Sequence, residues 1–409
     1  MPKKNIVILG AGFGGLRTAM LTAEKLKKKQ LSEKYDVILV DRTDCHLYTP
    51  LLYRLAAAPD HKPECTYDTT SLIKGLPIRF LQGEVASLDL LNGDIHLKSG
   101  DPVKTDYLVL ALGSETNFFG IPGLKENSLQ LKTAEQALEI RNALEAAFAV
   151  EGEIKIVIGG AGANGIELAS EVKLWADEAM KENKKLTVNV SLLEATPSVL
   201  PGFDPRVQNV AAKRLALLGV NLMVNGKIVG VAPKEISLDG GVKIPFDIFV
   251  WTGGIRTPNI LTELPVQKEP HGKPLAQTDM ACLPGTPDLK LYPMIYGLGD
   301  SVCFMDQKTK RPVPAVARAA ILQADVVAHN LIEEILKAES ASRTIRPLTY
   351  TAEEYPYVIP IGANWAVAKF GSFVFSGWPA WTFAKLIEIH YLISIMPFGE
   401  AMQAWGKMG

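Results

Sequence analysis

The feature that most constrains this chain is a glycine-rich fingerprint that occurs twice. Gly10-Ala11-Gly12-Phe13-Gly14-Gly15 follows the apolar run Ile6-Val7-Ile8-Leu9, and Gly160-Ala161-Gly162-Ala163-Asn164-Gly165 follows Ile156-Val157-Ile158. Each run predicts a buried parallel strand, and helical composition follows each fingerprint. Glycines there permit the tight strand-to-helix turn and let the backbone approach a pyrophosphate, while the helix N-terminus faces the anion. One such motif is weak evidence. Two, each in strand–turn–helix context, predict two dinucleotide sites and hence electron transfer between two cofactors.

An acidic residue closes the second strand of each unit. Asp36-Val37-Ile38-Leu39-Val40 runs to Asp41 with Arg42 behind it, and Val188 to Leu193 runs to Glu194. A carboxylate in that position accepts hydrogen bonds from a ribose 2′-OH and repels a 2′-phosphate. Such a carboxylate can equally cap the turn that follows it. The separations, 31 residues from Gly10 to Asp41 and 34 from Gly160 to Glu194, are long, and the hydrophilic stretches Lys25–Lys34 and Asp177–Lys185 take up the excess.

Composition is that of an ordinary globular chain, with 47% hydrophobic and 21% charged residues over 409 positions. That length allows two or three domains, and a net charge of −1 gives no footprint for nucleic acid. Met1-Pro2-Lys3-Lys4 runs straight into the first strand, so no signal or transit peptide is expected. Cys45, Cys65, Cys282 and Cys303 have no CxxC spacing and no clustered histidine, so they are read as reduced thiols and no metal is expected.

The order of landmarks predicts a nested α/β protein with two Rossmann-like dinucleotide-binding domains, the second inserted in the first. The first domain occupies 1–120 and resumes at 286–345; the second occupies 121–285; a distinct region follows at 346–409. Tyr107 to Leu112, ending in Gly113-Ser114, reads as a strand of the first domain, and Gly120-Ile121-Pro122-Gly123 as the crossover. Ile248 to Thr252 runs into Gly253-Gly254, Ile295 to Gly299 runs into Asp300, and a helix is expected from about Val316 to Lys337.

In that order the chain resembles the two-dinucleotide-binding-domain flavoproteins, and within them the type II NADH dehydrogenases. Cys45-His46-Leu47-Tyr48-Thr49-Pro50-Leu51-Leu52-Tyr53, Gly165 to Glu171, Val199-Leu200-Pro201-Gly202-Phe203, Trp251-Thr252-Gly253-Gly254 and Gly297-Leu298-Gly299-Asp300 carry the likeness over almost the whole chain. The resemblance implies oxidation of NADH through non-covalent FAD, with electrons passed to a membrane quinone and no proton pumping. It places Gly10, Gly12, Phe13, Gly14, Gly15, Asp41 and Arg42 on FAD. Gly113, Asp300 and the Pro50-Leu51 turn fall there too. Gly160, Gly162, Asn164, Gly165, Glu194, Gly253 and Gly254 are placed on NADH. Covalent attachment of flavin at His46 or Cys45 would be atypical. Glu167 would stand where nicotinamide and flavin meet; the plain alternative is a carboxylate favoured by the helix N-terminal dipole. That helix end should receive a pyrophosphate, however, and a further anion there repels it.

For the acceptor, the family carries an Ala-Gln…Gln signature on the helix after Gly-Asp. Here Gln323 fits the second glutamine, but Arg318 stands where the first is expected; Arg318, Ala319 and Gln323 are the residues the resemblance places at the quinone. A guanidinium donates hydrogen bonds and accepts none. The tail is aromatic and apolar, and its longest uncharged stretch, Phe370 to Ala384, falls short of the roughly 20 residues of a spanning helix. From Trp381 to Ile395 an amphipathic helix is expected, with apolar residues on one side and Lys385, Glu388 and His390 on the rest. Such a segment lies on a bilayer surface at the cytoplasmic face of the cell membrane as a monotopic anchor, or docks on the protein's own core or on a second copy. Lys385 is the tail residue nearest a catalytic role by resemblance; snorkelling to headgroups is its plain alternative. Two other classes stand beside this reading: a soluble NADH-dependent flavoprotein reductase with a protein or small-molecule acceptor, and a sulfide:quinone oxidoreductase. The absence of cysteine from Thr66 to Ala281 speaks against the second.

Overall fold

A computed structural model describes residues 2–58, 63–340 and 342–408. The chain divides into two compact units: Met1–His46, Tyr67–Glu115 and Arg256–Glu353 form the first, and Leu47–Thr66, Thr116–Ile255 and Glu354–Gly409 the second.

The first unit is built on a five-stranded parallel sheet in the order Met294–Gly297, Tyr107–Leu110, Lys4–Leu9, Tyr35–Asp41, Ile78–Gln82. Ile6 pairs with Tyr107 on one side and Val37 on the other. Ile6 to Leu9 are wholly buried. A strand covered on both faces reads as a continuous apolar run rather than an alternating one, which is why the hydrophobic pattern located it. Helices Phe13–Lys28 and Ala317–Glu339 pack together over the sheet. The central strand is flanked by strands that the chain reaches in opposite directions. Its carboxyl end is therefore a topological switch point, where open α/β sheets hold ligands.

The second unit repeats the plan. Its parallel sheet runs Leu129–Gln130, Ile248–Trp251, Gly152–Gly159, Leu186–Leu193, Asn221–Met223, with Ile158 between Val250 and Leu192. Beneath it Leu193, Ile236, Phe246, Phe249 and Trp251 form one apolar cluster.

The compact units divide the chain differently from the expected domains, beginning with Leu47–Thr66, which is expected within the first domain and falls in the second unit. The segment from Arg256 to 285, read as part of the inserted domain, packs with the first unit because Leu275–Ala276 pairs with Cys303–Phe304 and the Cys282 amide donates to the Ile295 carbonyl at 2.8 Å. The tail belongs with the second unit as well. Strands Tyr357–Pro360, Ala366–Phe370 and Phe373–Gly377 form an antiparallel sheet that precedes helices Trp378–Ile395 and Phe398–Lys407.

The helix Trp378–Ile395 also overturns the expected polarity of the tail. Lys385 is buried, at 8% exposure, and Glu388 lies mostly buried beside it; the exposed positions include Trp378, Leu386, Ile387 and Ile393. Lys385 and Glu388 sit three residues apart and satisfy one another on the inner face beside Ala384, Tyr391, Leu392 and Ile395, while His390 is exposed, so apolar side chains occur on both faces. No helix among the described residues is long and apolar enough to cross a membrane.

Candidate functional site

Each fingerprint loop is shaped by positions where no side chain fits. Gly10 has φ +104°, and a Cβ there would stand 2.2 Å from the Ala111 carbonyl oxygen; Gly160 has φ +97°, with a Cβ 2.4 Å from Gly253 Cα. A Cβ on Gly12 or Gly162, in contrast, meets nothing within 4 Å. These two residues precede helices Phe13–Lys28 and Ala163–Glu182, and neither helix has a side-chain cap at its N-terminus. Open space in front of uncapped backbone N–H groups fits a dinucleotide pyrophosphate in both units.

The strand-end carboxylates hold these loops. Asp41 accepts from the Ala11 amide at 2.6 Å with one oxygen and from the Thr43 amide at 2.9 Å with the other. Glu194 does the same with the Ala161 amide at 2.8 Å and the Thr196 amide at 2.9 Å. The turn-capping alternative is thus present for each residue, and the other oxygen braces the fingerprint loop, a contact the sequence did not announce. Arg42 and Asn164 are exposed. Phe13 makes an edge contact with His46, whose ring nitrogen meets the Ala11 carbonyl oxygen at 2.8 Å. His46 is wholly buried and its basicity is lowered by that burial, so it is loop scaffolding rather than an attachment point for flavin.

Still in the first unit, Gly113 donates to Ser301 at 2.8 Å and Ser114 donates to Asp300 at 2.7 Å, which joins two of the predicted landmarks. A narrow cleft beside them is lined by Asp300, Val302, Phe304, Val316, Ala319, Gln323 and Lys273, among others. Gln323 accepts from the Gly299 amide at 2.7 Å and so fixes the Gly-Asp turn. Arg318 is exposed on the same helix and does not line the cleft. Lys273 was missed by sequence reasoning because an isolated lysine in a loop carries no motif.

The second unit gathers buried charge. Glu167 is 9% exposed, and burial first, then the neighbouring Glu171, hold its carboxyl well above the ordinary value of 4.5. Tyr53, on helix Leu52–Ala57, is buried and pushed upward by desolvation and then by Glu167, Glu171 and Glu388. Lys385 binds Glu388 at 2.9 Å, and burial opposes the charge on both partners. In the sequence Glu171 stood only as the end of a family motif and Glu388 only as a polar position of the tail helix; their spacing from Glu167 and Lys385 places each pair on one helix face. Pro50 is exposed; Leu51 is buried in the second unit. Gly253 and Gly254 lie beside the second fingerprint, Gly253 against Gly160.

Known proteins match this arrangement. The pattern of the pyridine nucleotide-disulphide oxidoreductase family fits residues 4–324. A type II NADH:quinone oxidoreductase of Staphylococcus aureus is 27% identical over 372 residues, covering 87% of this chain and 86% of that protein. The fold is similar to that of NDH2 from Plasmodium falciparum in complex with NADH, with a TM-score of 0.82 and 16% identity over 100% of this chain and 98% of that one. It is also similar to the sulfide:quinone oxidoreductase of Aquifex aeolicus, with a TM-score of 0.76 and 20% identity over 96% and 91%. The likeness to type II NADH dehydrogenases read from the sequence is borne out.

Two consequences for stability follow from the buried charges. The folded Glu167 carboxyl holds its proton more tightly than the unfolded one, so its ionisation costs stability once pH exceeds about 4.5, increasingly so until the raised folded value is passed. Glu167→Gln removes that cost: between pH 5 and pH 8 its Tm relative to the parent should rise by about 2 °C, and a pH-independent difference in calorimetric scans would contradict this. Lys385→Met strands Glu388 and should cost about 3 kcal/mol in denaturant unfolding, most of it recovered in the Lys385→Met/Glu388→Leu double variant. Additive losses in the double variant would mean that the two charges do not stabilise one another.

Proposed function

The chain belongs to the pyridine nucleotide-disulphide oxidoreductase family, and from that premise we propose that it oxidises NADH and passes the electrons through FAD to a quinone at a lipid surface, without pumping protons. The observation that carries this reading is the pair of carboxylate-braced fingerprint loops, each opening in front of an uncapped helix N-terminus. FAD, when bound, supplies two-electron chemistry that accepts a hydride and serves a quinone. The first unit's Gly12 loop and Phe13–Lys28 helix take its pyrophosphate, with Asp300 toward the ribityl chain. The second unit's Gly162 loop takes NADH, and Glu194 sets a negative charge where NADPH would bring a phosphate.

Quinone reduction consumes two protons. Glu167, whose protonated form burial favours, is the proton source we assign in the second unit, with the Lys385–Glu388 pair as the second group near the tail. The exposed apolar side chains of the tail, Phe373 at 73%, Trp378 at 65% and Phe398 at 66% among them, suit the headgroup region of a bilayer. The sulfur-relay alternative fares poorly, because the Cys282 thiol is pushed up to about 12 by burial and Cys303 is also raised. Thiolates are the reactive form, and neither cysteine is poised to supply one.

Three measurements test this reading. NADH should bleach bound flavin in stopped flow, and a quinone should restore it; a flavin that NADH leaves oxidised rejects the proposal. Glu194→Gln keeps an acceptor oxygen for the Ala161 amide but loses the charge, so the preference for NADH over NADPH in kcat/KM should narrow about tenfold. An unchanged ratio would remove Glu194 from donor choice. Trp378→Ser combined with Phe398→Ser should release the protein from floated anionic vesicles while NADH still reduces the flavin; full flotation would place the lipid contact elsewhere.

A further inference from the structure

Lys273 is the one cation lining the cleft of the first unit, and its surroundings are unusual for a lysine. Its backbone amide donates to Glu269 at 3.0 Å, which fixes the loop. Its ammonium makes no hydrogen bond or ion pair among the described residues. Burial disfavours the charge, with Asp300, Cys303 and Glu269 near enough to support it in part. A half-buried ammonium without a hydrogen-bond acceptor costs free energy that a bound acceptor would recover. The strand Leu275–Ala276, one residue beyond Pro274, is paired with Cys303–Phe304, so this ammonium is carried on a fixed element and not on a free arm.

The cleft narrows the choice of acceptor. Val302, Phe304 and Val313 stand in its walls beside the polar Asp300 and Gln323, a mixed lining that admits the edge of a ring with hydrogen-bonding atoms. The pyrophosphate already has its own seat at Gly12 and the helix Phe13–Lys28. Val316, the N-cap of helix Ala317–Glu339, lines the same cleft and brings the positive end of a 23-residue helix to it. Lysine and helix end together favour an electron-rich edge of an otherwise apolar ring.

Resting on the FAD reading above, we infer that Lys273 donates a hydrogen bond to the N1–C2 carbonyl edge of the isoalloxazine and sets its redox potential. A fixed positive charge at that edge favours the ring carrying two more electrons over the oxidised ring. The residue therefore contributes to cofactor retention and to the driving force for accepting a hydride.

The test uses holoenzyme and Lys273→Met, read by FAD release on dilution and by the flavin midpoint potential. Loss of one charge-assisted hydrogen bond predicts release about tenfold faster. A tenfold loss of preference for the reduced ring predicts a midpoint about 30 mV lower for a two-electron couple. Holoenzyme that purifies without FAD would overturn the functional reading beneath the inference. Unchanged release and midpoint in Lys273→Met would leave that reading standing and overturn the role of the lysine. Faster release with an unchanged midpoint would put the ammonium on the phosphates and overturn the ring-edge assignment. Where Lys273→Met does not fold, Lys273→Arg and Lys273→Gln decide: a midpoint near the parent value for Arg and a lower one for Gln supports the inference, and equal midpoints overturn it.

Discussion

Both halves of this protein depend on one contact, in which a carboxylate at the end of the second strand accepts the amide of the alanine inside the fingerprint. Without it the loop would present an unsatisfied N–H next to a helix end that already has several. With it, Gly10 and Gly160 keep their left-handed turns, Gly12 and Gly162 stay open to the ligand side, and each helix starts at a fixed distance from the sheet. Under the proposed function the same carboxylates would also meet a ribose, so that in the second unit loop geometry and donor choice would rest on Glu194. The duplication is thus a repeat of a physical device and not only of a motif.

Desolvation governs the rest of the second unit's chemistry. Placing Glu167 four residues before Glu171 on helix Ala163–Glu182 puts two carboxyls on one buried face. Two like charges in low dielectric cannot both ionise cheaply, so burial and Glu171 together favour the protonated form of Glu167. Tyr53, from a different helix, feels both of them and Glu388 as well, which ties the fingerprint helix to the tail through a single phenol. A proton held by burial is available to chemistry without any dedicated base.

Much of this was legible in the sequence. Buried parallel strands announce themselves as uninterrupted apolar runs, and the glycine spacing is dictated by close approach of backbone to backbone, so Gly10, Gly15, Gly160 and Gly165 were readable from types alone. Asp41 and Glu194 were readable by position, but not their second oxygen's partner, since a hydrogen bond to a loop amide leaves no trace in composition. Lys273 and Arg318 show the limit from opposite sides. Arg318 drew notice by departing from a pattern and is exposed, whereas Lys273 drew none and lines the cleft. Burial of a long cationic side chain depends on what folds over it, and no local window contains that. The reach of the first unit to Arg256 escaped for the same reason: two-residue strands such as Leu275–Ala276 are defined by their partner.

The tail helix gives the proposed lipid surface its main support, because it exposes large apolar side chains while burying an ion pair among apolar neighbours. A helix on a water-facing protein turns its charges out; this one buries a Lys385–Glu388 pair and exposes Leu386, Ile387 and Ile393. Burying an ion pair is at best neutral against a well-packed apolar pair, so stability alone does not account for that arrangement. Exposing large apolar side chains to water costs about 25 cal/mol per Å². The outer-face cost falls if that face meets an apolar medium, which is what the proposed lipid contact supplies. The helix Trp378–Ile395 is 18 residues long and carries the Lys385–Glu388 pair in its middle, which suits a place along a bilayer better than through it. The exposed Phe373 on the strand before it and Phe398 on the helix after it extend the exposed apolar side chains beyond one helix, which supports the same proposal.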